Sequence, residues 1–371
     1  MSDQEIVSLS IHLASKRIIR NFDESIHRII KDFDVNQIVN TMLVNIQSQW
    51  HIDFSNDNEL RDYLLLHLIP LEVRSRYNVV LRNPLIDKIK QQNILAYQLA
   101  VAACSHLVDY HENNLSDEEI GYIALHLELA LLRKKIKDKK NILVMCGVGR
   151  GTSSTLAYQI KEMYGKFINE IQTVDYIGIK SYDFEDVDFL ITSTPIKNKL
   201  PIPVIEVNYF LNNNDKKRIL SFLDDQDSFH MQEVIKRNLI IKNINEETKE
   251  GVLSYIIKNT LGNESISKNL IEEDCIGNYE LENMLAILSC CVDEPKTKII
   301  IGILSKPILW NKKKVQLVII PLIGKNIGIK ILDLYKELSY FADNSNYIKR
   351  IIKKQNQEEI IKIFNDIELK I

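Results

Sequence analysis

The chain has 371 residues, of which 45% are hydrophobic and 26% are charged, and its formal net charge at pH 7 is -3. This length favours two or three hydrophobic cores rather than one, and the nearly balanced charge excludes a basic field by which the whole chain would bind nucleic acid. Five cysteines without regular spacing exclude a disulfide scaffold and a zinc site, so no metal and no cofactor are expected.

A short internal repeat opens the chain. Residues 2–6 followed by His12 match residues 116–120 followed by His126, at a constant offset of 114 positions (116 minus 2). Each copy begins with a serine followed three residues later by a glutamate, a capping box that predicts a helix with a histidine about three turns in. Because no glycine precedes Gly121 and helical periodicity dominates, the sequence predicts an all-α front part.

One predicted helix places a histidine and an arginine on the same apolar stripe. Spacings of four and three residues alternate along Leu60, Leu64, His67, Leu71 and Arg74. His126 and Arg133 repeat the seven-residue separation of His67 and Arg74. Two helical turns measure roughly 10 Å, which lets a long arginine side chain lean toward a phosphate on the histidine. The alternative is that both histidines are packed, hydrogen-bonded residues of helix faces.

This stretch resembles the phosphotransferase regulation domain of sugar-operon activators and antiterminators. The resemblance rests on Leu-His-Leu at 66–68 with Arg74, on Asn-Pro-Leu at 83–85 and on Glu-Ile-Gly-Tyr-Ile-Ala-Leu-His at 119–126. It implies that His67 and His126 accept or lose phosphate and thereby change dimerisation, with Arg74 and Arg133 supporting the phosphate. His12 would be the matching site of a preceding copy. A phosphoryl group of about two negative charges would attract arginines or repel a partner helix.

A cysteine then stands at the end of an apolar strand, before a glycine-rich loop that opens a helix. The strand is predicted over residues 141–145 and the helix over 155–164; between them lie Cys146, Gly147, Val148, Gly149, Arg150, Gly151, Thr152 and Ser153. Backbone N–H groups of such a loop can surround an anion, and a helix N-terminus favours the thiolate form of a cysteine. The pattern predicts a phosphate cradle whose thiolate carries a phosphoryl group.

Other interpretations of Cys146 rest on the same residues. It could be a small buried core residue beside a tight strand-to-helix turn. A cysteine phosphatase needs an arginine six positions after the cysteine, where Thr152 stands, and a dithiol redox site needs a second cysteine three positions after it, where Gly149 stands. Phosphatase and redox chemistry are therefore disfavoured.

The loop resembles the phosphocysteine loop of enzyme IIB proteins of the bacterial sugar phosphotransferase system, in their galactitol-like and mannitol-like group. The resemblance covers about residues 140–223. It implies a small parallel sheet with helices on its faces, with Cys146 at the carboxyl end of a strand and able to accept phosphate as a thiophosphate.

The tail, residues 231–371, is predicted to be a further α/β domain. Strands are expected near 239–241, 298–304 and 315–321, with helices near 249–261, 329–341 and 357–365. Residues 276–278, residues 304–310 and the strand that begins at Val315 resemble enzyme IIA of the mannitol and fructose type. The phosphoryl-carrying histidine of that family follows an Ala-Ile-Pro motif, and the matching stretch here ends in Ser289; no histidine follows His230. The resemblance therefore implies a degenerate IIA-like module that serves for docking or sensing.

The predicted architecture is multidomain. A remnant of a first regulation domain (1–22) precedes an all-α regulation domain (23–137), a IIB-like α/β parallel-sheet domain (138–224) and the degenerate IIA-like α/β domain (231–371). This order resembles the carboxy-terminal part of sugar-operon regulators of the BglG and mannitol-activator kind. It implies a regulator of transcription that responds to phosphorylation by HPr and enzyme IIA/IIB proteins, forms a homodimer and lacks its own complete DNA- or RNA-binding domain.

Two other functions remain open at this point. The chain could be the IIB component of a sugar permease, passing phosphate from Cys146 to an incoming sugar; the attached helical domain and the missing tail histidine speak against this. It could also be a decayed remnant that folds but signals nothing. In the regulator interpretation no enzymatic activity is expected, and the lack of a signal peptide and of a run of eighteen apolar residues predicts a cytoplasmic protein.

Overall fold

The computed structural model describes residues 34–77, 79–105, 115–137, 139–147, 150–196, 200–223, 234–261, 266, 268, 270–272, 276–325, 327–368 and 370. They belong to two compact units. One unit combines Met1–Leu131 with Phe229–Ile371, and the other is Leu132–Ser228. The predicted remnant at 1–22, with His12, lies outside the described residues.

Helices dominate the front of the chain, as the periodicity predicted. They are α1 (Val35–Trp50), α2 (Asn58–Arg76), α3 (Ile86–Gln92), α4 (Ile94–Cys104) and α5 (Asp117–Lys137). Aspartates begin two of them, because the carboxylates of Asp34 and Asp57 accept hydrogen bonds from the free N–H groups of Gln37 and Leu60. Every residue of α4 is buried, so this helix lies inside the unit rather than on its surface.

The second unit contains a four-stranded parallel sheet. Its strands are β1 (Lys140–Met145), β2 (Ile168–Val174), β3 (Phe189–Thr192) and β4 (Val204–Glu206), in the order β2-β1-β3-β4. The helices α6 (Arg150–Tyr164) and α7 (Asn213–Leu223) accompany it. Residues of β1 point alternately into two separate apolar clusters, which means that both faces of the sheet are covered.

Helix α6 corrects one expectation. The sequence predicted a helix from residue 155, whereas α6 begins at Arg150, so Gly151, Thr152 and Ser153 form its first turn rather than a loop. Serine and threonine suit this position because the first N–H groups of a helix have no backbone partner and their hydroxyls can satisfy such groups.

The tail forms a mixed sheet with helices. Its strands are β5 (Ile235–Ile244), β6 (Leu285–Ile287), β7 (Cys290–Val292), β8 (Lys298–Leu309) and β9 (Lys314–Gly324). The order is β5-β8-β9-β6, with β7 also paired to β9; β8 and β9 are antiparallel, and the other pairs are parallel. Helices α8 (Lys249–Thr260), α9 (Ile331–Asp343), α10 (Ser345–Lys354) and α11 (Gln357–Glu368) complete it. The short strands β6 and β7 and the helix α10 were not predicted.

The front helices and the tail share one hydrophobic core. Buried side chains of α1, α2, α4 and α5 belong to the same contiguous cluster as those of β8, β9 and α9. Helix α9 packs against α3 and α4. Within the residues that the structure describes, no helix combines the length and apolar character needed to cross a bilayer.

Candidate functional site

The two predicted histidines meet between α2 and α5. The ring centroids of His67 and His126 lie 5.6 Å apart, with the rings edge to face at 63°. Tyr63 stacks on His126 at 5.7 Å, and the ring of Tyr122 lies 6.1 Å from that of His67. The His67 side chain keeps only 13% of its surface exposed. Sequence reasoning placed these histidines on two helices; tertiary packing makes them one site, which we call the histidine site (Tyr63, His67, Tyr122, His126).

Glu119 is the residue that sequence reasoning missed as part of this site. Its Oε2 lies 3.3 Å from Nε2 of His67, a contact that becomes an ion pair when the imidazole is protonated. The same carboxylate accepts two hydrogen bonds from the guanidinium of Arg74, at 2.5 Å from Nε and 2.8 Å from Nη2. Its seven-residue distance from His126 on α5 was a signal that could have found it, since two turns of a helix return to one face.

The capping box predicted at this helix start forms only in part. The Oγ of Ser116 accepts a hydrogen bond from the backbone N–H of Glu119, at 3.4 Å. The Glu119 carboxylate, however, points inward to Arg74 and His67 instead of serving the helix end. A bidentate bond to a buried guanidinium is stronger than a bond to a single neutral N–H, which explains the choice.

The charges of the site follow from burial and from these partners. Burial alone would raise the pKa of Glu119, but the close contact with His67 and the hydrogen bonds from Arg74 outweigh it, so its pKa lies below the ordinary value and the carboxylate is ionised. Burial, with a smaller contribution from nearby His67, lowers the pKa of His126 to about 4. His126 is therefore a neutral imidazole at physiological pH, the form whose ring nitrogen can act as a nucleophile.

The two predicted arginines lie on the same helices as the histidines. Arg74 is buried, and its planar fork is bound to Glu119. Arg133 follows His126 by seven residues on α5 and is half-buried.

Gly121, also on α5, allows close packing of this helix, because a Cβ there would lie 2.6 Å from Cδ1 of Ile86 and 3.0 Å from Nδ2 of Asn83.

The thiol site lies in the second unit, at the carboxyl end of β1. Cys146 follows the last residue of that strand and is buried, with its N–H donating to Oγ of Ser153 in the first turn of α6, at 3.0 Å. Val148 and Gly149 lie outside the described residues. The backbone of Cys146 thus lies beside the first turn of a helix, and a helix N-terminus is a position that favours negative charge.

Two hydroxyl residues that the sequence analysis did not select complete the thiol site. Met145 pairs with Thr192 of the neighbouring parallel strand β3, so the residues after each strand end lie side by side. As a result, Oγ of Ser193 donates to Sγ of Cys146 at 2.8 Å, and the N–H of Gly147 donates to Oγ1 of Thr194 at 2.9 Å. A Cβ at position 147 would collide with Oγ1 of Thr194, which explains the glycine there.

Comparisons with known proteins match the two parts of the first unit. Residues 40–130 match the family model described as PRD domain, and residues 233–367 match that of the phosphoenolpyruvate-dependent sugar phosphotransferase system, EIIA 2. The chain is thus similar to proteins that combine these two domains. The thiol site lies outside both matched ranges, and its IIB-like character is taken up below as a proposal.

Two relatives are similar over most of the chain. The "Probable licABCH operon regulator" of Bacillus subtilis (strain 168) is 27% identical over 338 residues, which cover 90% of this chain and 53% of that protein. The "Transcriptional regulator ManR" of the same organism is 20% identical over 375 residues, which cover 95% of this chain and 57% of that protein. The chain therefore spans little more than half the length of these relatives.

Among solved structures, the nitrogen regulatory protein IIA-Ntr from Neisseria meningitidis is similar to about a third of the chain. The match covers 36% of this chain and 98% of that protein, with 14% identity and a TM-score of 0.32.

Proposed function

We propose that this chain is a phosphorylation-responsive regulator of sugar-operon transcription. Phosphotransferase-system proteins, HPr and enzyme IIA/IIB, would modify His67, His126 and Cys146 according to sugar supply. The observation that carries the proposal is the histidine site, in which two histidines, a carboxylate and a buried arginine fork share one helix junction. The match to the PRD domain over residues 40–130 and the regulator names of the two relatives support it.

The chemical step is transfer of a phosphoryl group from a phosphohistidine of the donor protein. A ring nitrogen of the acceptor attacks phosphorus, the bond from phosphorus to the donor nitrogen breaks, and the donor imidazole keeps the electron pair of that bond and takes up a proton. The acceptor imidazole releases the proton of its other ring nitrogen, so the transfer is balanced in protons. For His67 we assign Nδ1 as the acceptor. Nε2 faces the Glu119 carboxylate, which favours a proton on Nε2, leaves the lone pair on Nδ1 and repels an anionic phosphoryl from the Nε2 side.

Arg74 supplies the response to that step. In the unmodified protein its fork is bound to Glu119. A phosphoryl group on His67 adds about two negative charges close to the Glu119 carboxylate. The repulsion between them is relieved when Arg74 bonds the phosphoryl oxygens in place of one or both carboxylate oxygens, since both anions suit its planar fork. Phosphorylation would in this way exchange the partner of a buried charge that ties α2 to α5.

The regulatory output would be a change in how the helical part packs against a second copy of the chain. Exposed apolar side chains stand along α5, at Leu125, Leu129 and Leu132. Their spacing of four and three residues places them on one face. A homodimer through the helical part is thus part of the proposal.

The thiol site would act as a second, IIB-like input. Cys146 sits at the carboxyl end of a central strand of a parallel sheet, where folds of this class bind ligands. The Ser193 hydroxyl donates to its sulfur, the Ser153 hydroxyl accepts from its backbone N–H, and the Thr194 hydroxyl accepts from the N–H of the next residue. The Ser193 hydroxyl stabilises a thiolate and then the transferred phosphoryl by hydrogen bonding.

Mass spectrometry under conditions that preserve phosphohistidine tests the proposal. The folded chain is incubated with phosphoenolpyruvate and the general phosphotransferase proteins, beside the variants His67→Ala, His126→Ala and Cys146→Ser and the exposed control His51→Ala. We expect phosphate on the wild type and on His51→Ala, with one site lost in each of the other variants. Absence of phosphate from all three residues of the folded wild type would overturn the proposal.

A second measurement separates regulation from sugar transport. Cys146→Ser should alter expression of the controlled operon and leave sugar phosphorylation by a complemented membrane fraction unchanged. Loss of sugar phosphorylation instead would identify the chain as a IIB component of a permease. The operon regulators among the relatives favour the first outcome.

A further inference from the structure

The tail binds the front helices through a buried chain of polar groups. The amide of Gln98, on α4, donates to the carbonyl of Ile287 in β6 at 2.8 Å, and its Oε1 accepts from the Tyr335 hydroxyl of α9 at 2.8 Å. The same Tyr335 hydroxyl is hydrogen-bonded to Ser289. Gln98, Ser289 and Tyr335 are each at most 3% exposed. Polar groups buried and satisfied in this way fix one arrangement, because any shift leaves some of them unpaired.

Ser289 is therefore an interface residue. It occupies the position at which the sequence comparison expected a phosphoryl-carrying histidine, and its hydroxyl faces Tyr335 and the α4 side of the interface rather than solvent. Trp50, at the end of α1, adds a ring contact to Tyr335 with centroids 6.3 Å apart. This face of the tail is covered by the chain's own helices.

A second contact joins the tail to the start of α5. The side-chain amide of Asn278 donates to Oδ2 of Asp117 at 2.5 Å, and Asp117 also binds Lys90 and Tyr97. Burial would raise the pKa of Asp117, but Lys90, Asn278 and Tyr97 together lower it, so the carboxylate is charged and fully engaged. The neighbouring Gly277 lies so close to α4 that a Cβ on it would collide with Cγ2 of Val101.

These contacts bring the tail within one helical turn of the histidine site. Asp117 and Glu119 both belong to the first turn of α5. One of them is held by the tail residue Asn278, and the other contacts His67 and Arg74. A displacement of this turn must affect both contacts, because the two residues lie two positions apart on one continuous helical backbone.

We propose that residues 276–371 are an internal partner of the front helices that senses the charge at the histidine site through the first turn of α5. Negative charge on His67 repels Glu119 and draws Arg74 away from it, the first turn of α5 shifts, and Asn278 and the loop around it loosen from Asp117 and α4. The tail thus converts a local charge into a change in the packing of the whole first unit. That the charge on His67 comes from phosphorylation rests on the proposed function. The coupling between the histidine site and the tail does not.

Hydrogen–deuterium exchange of the full chain tests the coupling without any phosphotransferase protein. In His67→Asp a carboxylate replaces the imidazole beside Glu119, and in the control His51→Asp the same change is made at an exposed helix end of the same unit. We expect exchange of amides in 276–281 and 285–289 to become at least about fivefold faster in His67→Asp, the lower end of usual coupling between sites, and to stay unchanged in His51→Asp. Unchanged exchange in the tail of a folded His67→Asp protein would overturn the proposal.

The reverse experiment covers the case in which His67→Asp does not fold. Asn278→Ala removes the side-chain hydrogen bond to Asp117 and leaves only the long backbone one, 3.5 Å from N to Oδ1. Asn259→Ala is its control, an exposed asparagine of α8 bonded only to its own helix among the described contacts. Because coupling is reciprocal, Asn278→Ala should shift the imidazole resonances of His67 and speed exchange over 117–123. If only residues around 278 respond, the tail is a passive attachment.

The outcomes also separate this proposal from the preceding one. If His67 accepts phosphate but exchange in the tail does not change, the regulator function is supported and the coupling is contradicted. If exchange in the tail changes but the chain accepts no phosphate, the coupling is supported and the regulator function is contradicted.

Discussion

Arg74 holds the carboxylate of Glu119 by two parallel hydrogen bonds, 2.5 and 2.8 Å long, although the two residues lie 45 positions apart. The guanidinium is thus engaged in the unmodified protein, and it is bound to the same carboxylate that contacts His67. Arg74 must therefore release the Glu119 carboxylate before it can bind a phosphoryl group. This makes the arginine part of a switch, since two anions compete for one fork.

Removing the charge of Glu119 should destabilise the first unit. Glu119→Gln replaces a charge-assisted bidentate bond by a neutral one, and we expect a loss of about 2 kcal/mol in the free energy of unfolding at pH 7. Urea unfolding measures it, with exposed Glu247→Gln as the control. An unchanged midpoint in Glu119→Gln would show that the pair contributes no net stability.

The pairing of Glu119 with Arg74 also predicts that the free energy of unfolding depends on pH. The folded-state pKa of Glu119 is depressed, so its contribution is complete above the unfolded pKa of about 4.3 and is lost as the pH falls through the folded value. The stability difference between wild type and Glu119→Gln should shrink as the pH falls below about 4.3. A difference that persists undiminished in acid would contradict the assignment.

His126 should stay neutral through the physiological range. Its pKa is lowered to about 4 in the folded chain, against 6.5 for an unperturbed histidine. The unfolded chain therefore binds more protons between these values, and stability should fall as the pH drops from 6.5 toward 4. NMR titration of the imidazole checks the pKa, and a midpoint near 6.5 would disprove it. In His126→Phe, which keeps an aromatic ring against Tyr63, the pH dependence of unfolding should weaken.

Ser193 should control the reactivity of Cys146. Its hydroxyl donates to the thiol sulfur, and Ser193→Ala removes this donor. A hydrogen bond of about 1 kcal/mol corresponds to roughly a fivefold smaller thiolate population, and we expect alkylation of Cys146 at neutral pH to slow by about that factor. The control is Ser221→Ala, an exposed hydroxyl of α7. Equal alkylation rates in the wild type and both variants would show that Ser193 does not affect the reactivity of Cys146.

Gly277 should be required for the close approach of the tail to α4. Gly277→Ala places a methyl group against Val101, and overpacking of this kind costs about 1–3 kcal/mol. Adding Val101→Ala should restore part of the loss, because the second change makes room for the first. Gly165→Ala, whose Cβ would meet no atom within 4 Å, is the control. Strictly additive losses in the double variant would place the two residues out of contact.

The sequence by itself determined most of the elements, together with the histidines and arginines of one site and the cysteine of the other. Periodicities of 3.6 and 2 residues predicted the front helices and most tail strands, because these patterns record which side chains each element must bury. The placing of His67 and Arg74 on one stripe and of Cys146 after a buried strand followed from local spacing alone. The helix after Cys146 began earlier than predicted, since glycines weaken the helical signal in a first turn that the fold nevertheless stabilises.

Only the tertiary structure decided which of these residues meet. The approach of Glu119 to His67, of Ser193 to Cys146 and of Asn278 to Asp117 joins positions far apart in the chain. Such pairs depend on how helices pack and on which strands are neighbours, and neither leaves a local pattern in the sequence. For the same reason the sequence described a separate tail, whereas folding buries Ser289 of that tail against α4 in a core shared with the front helices.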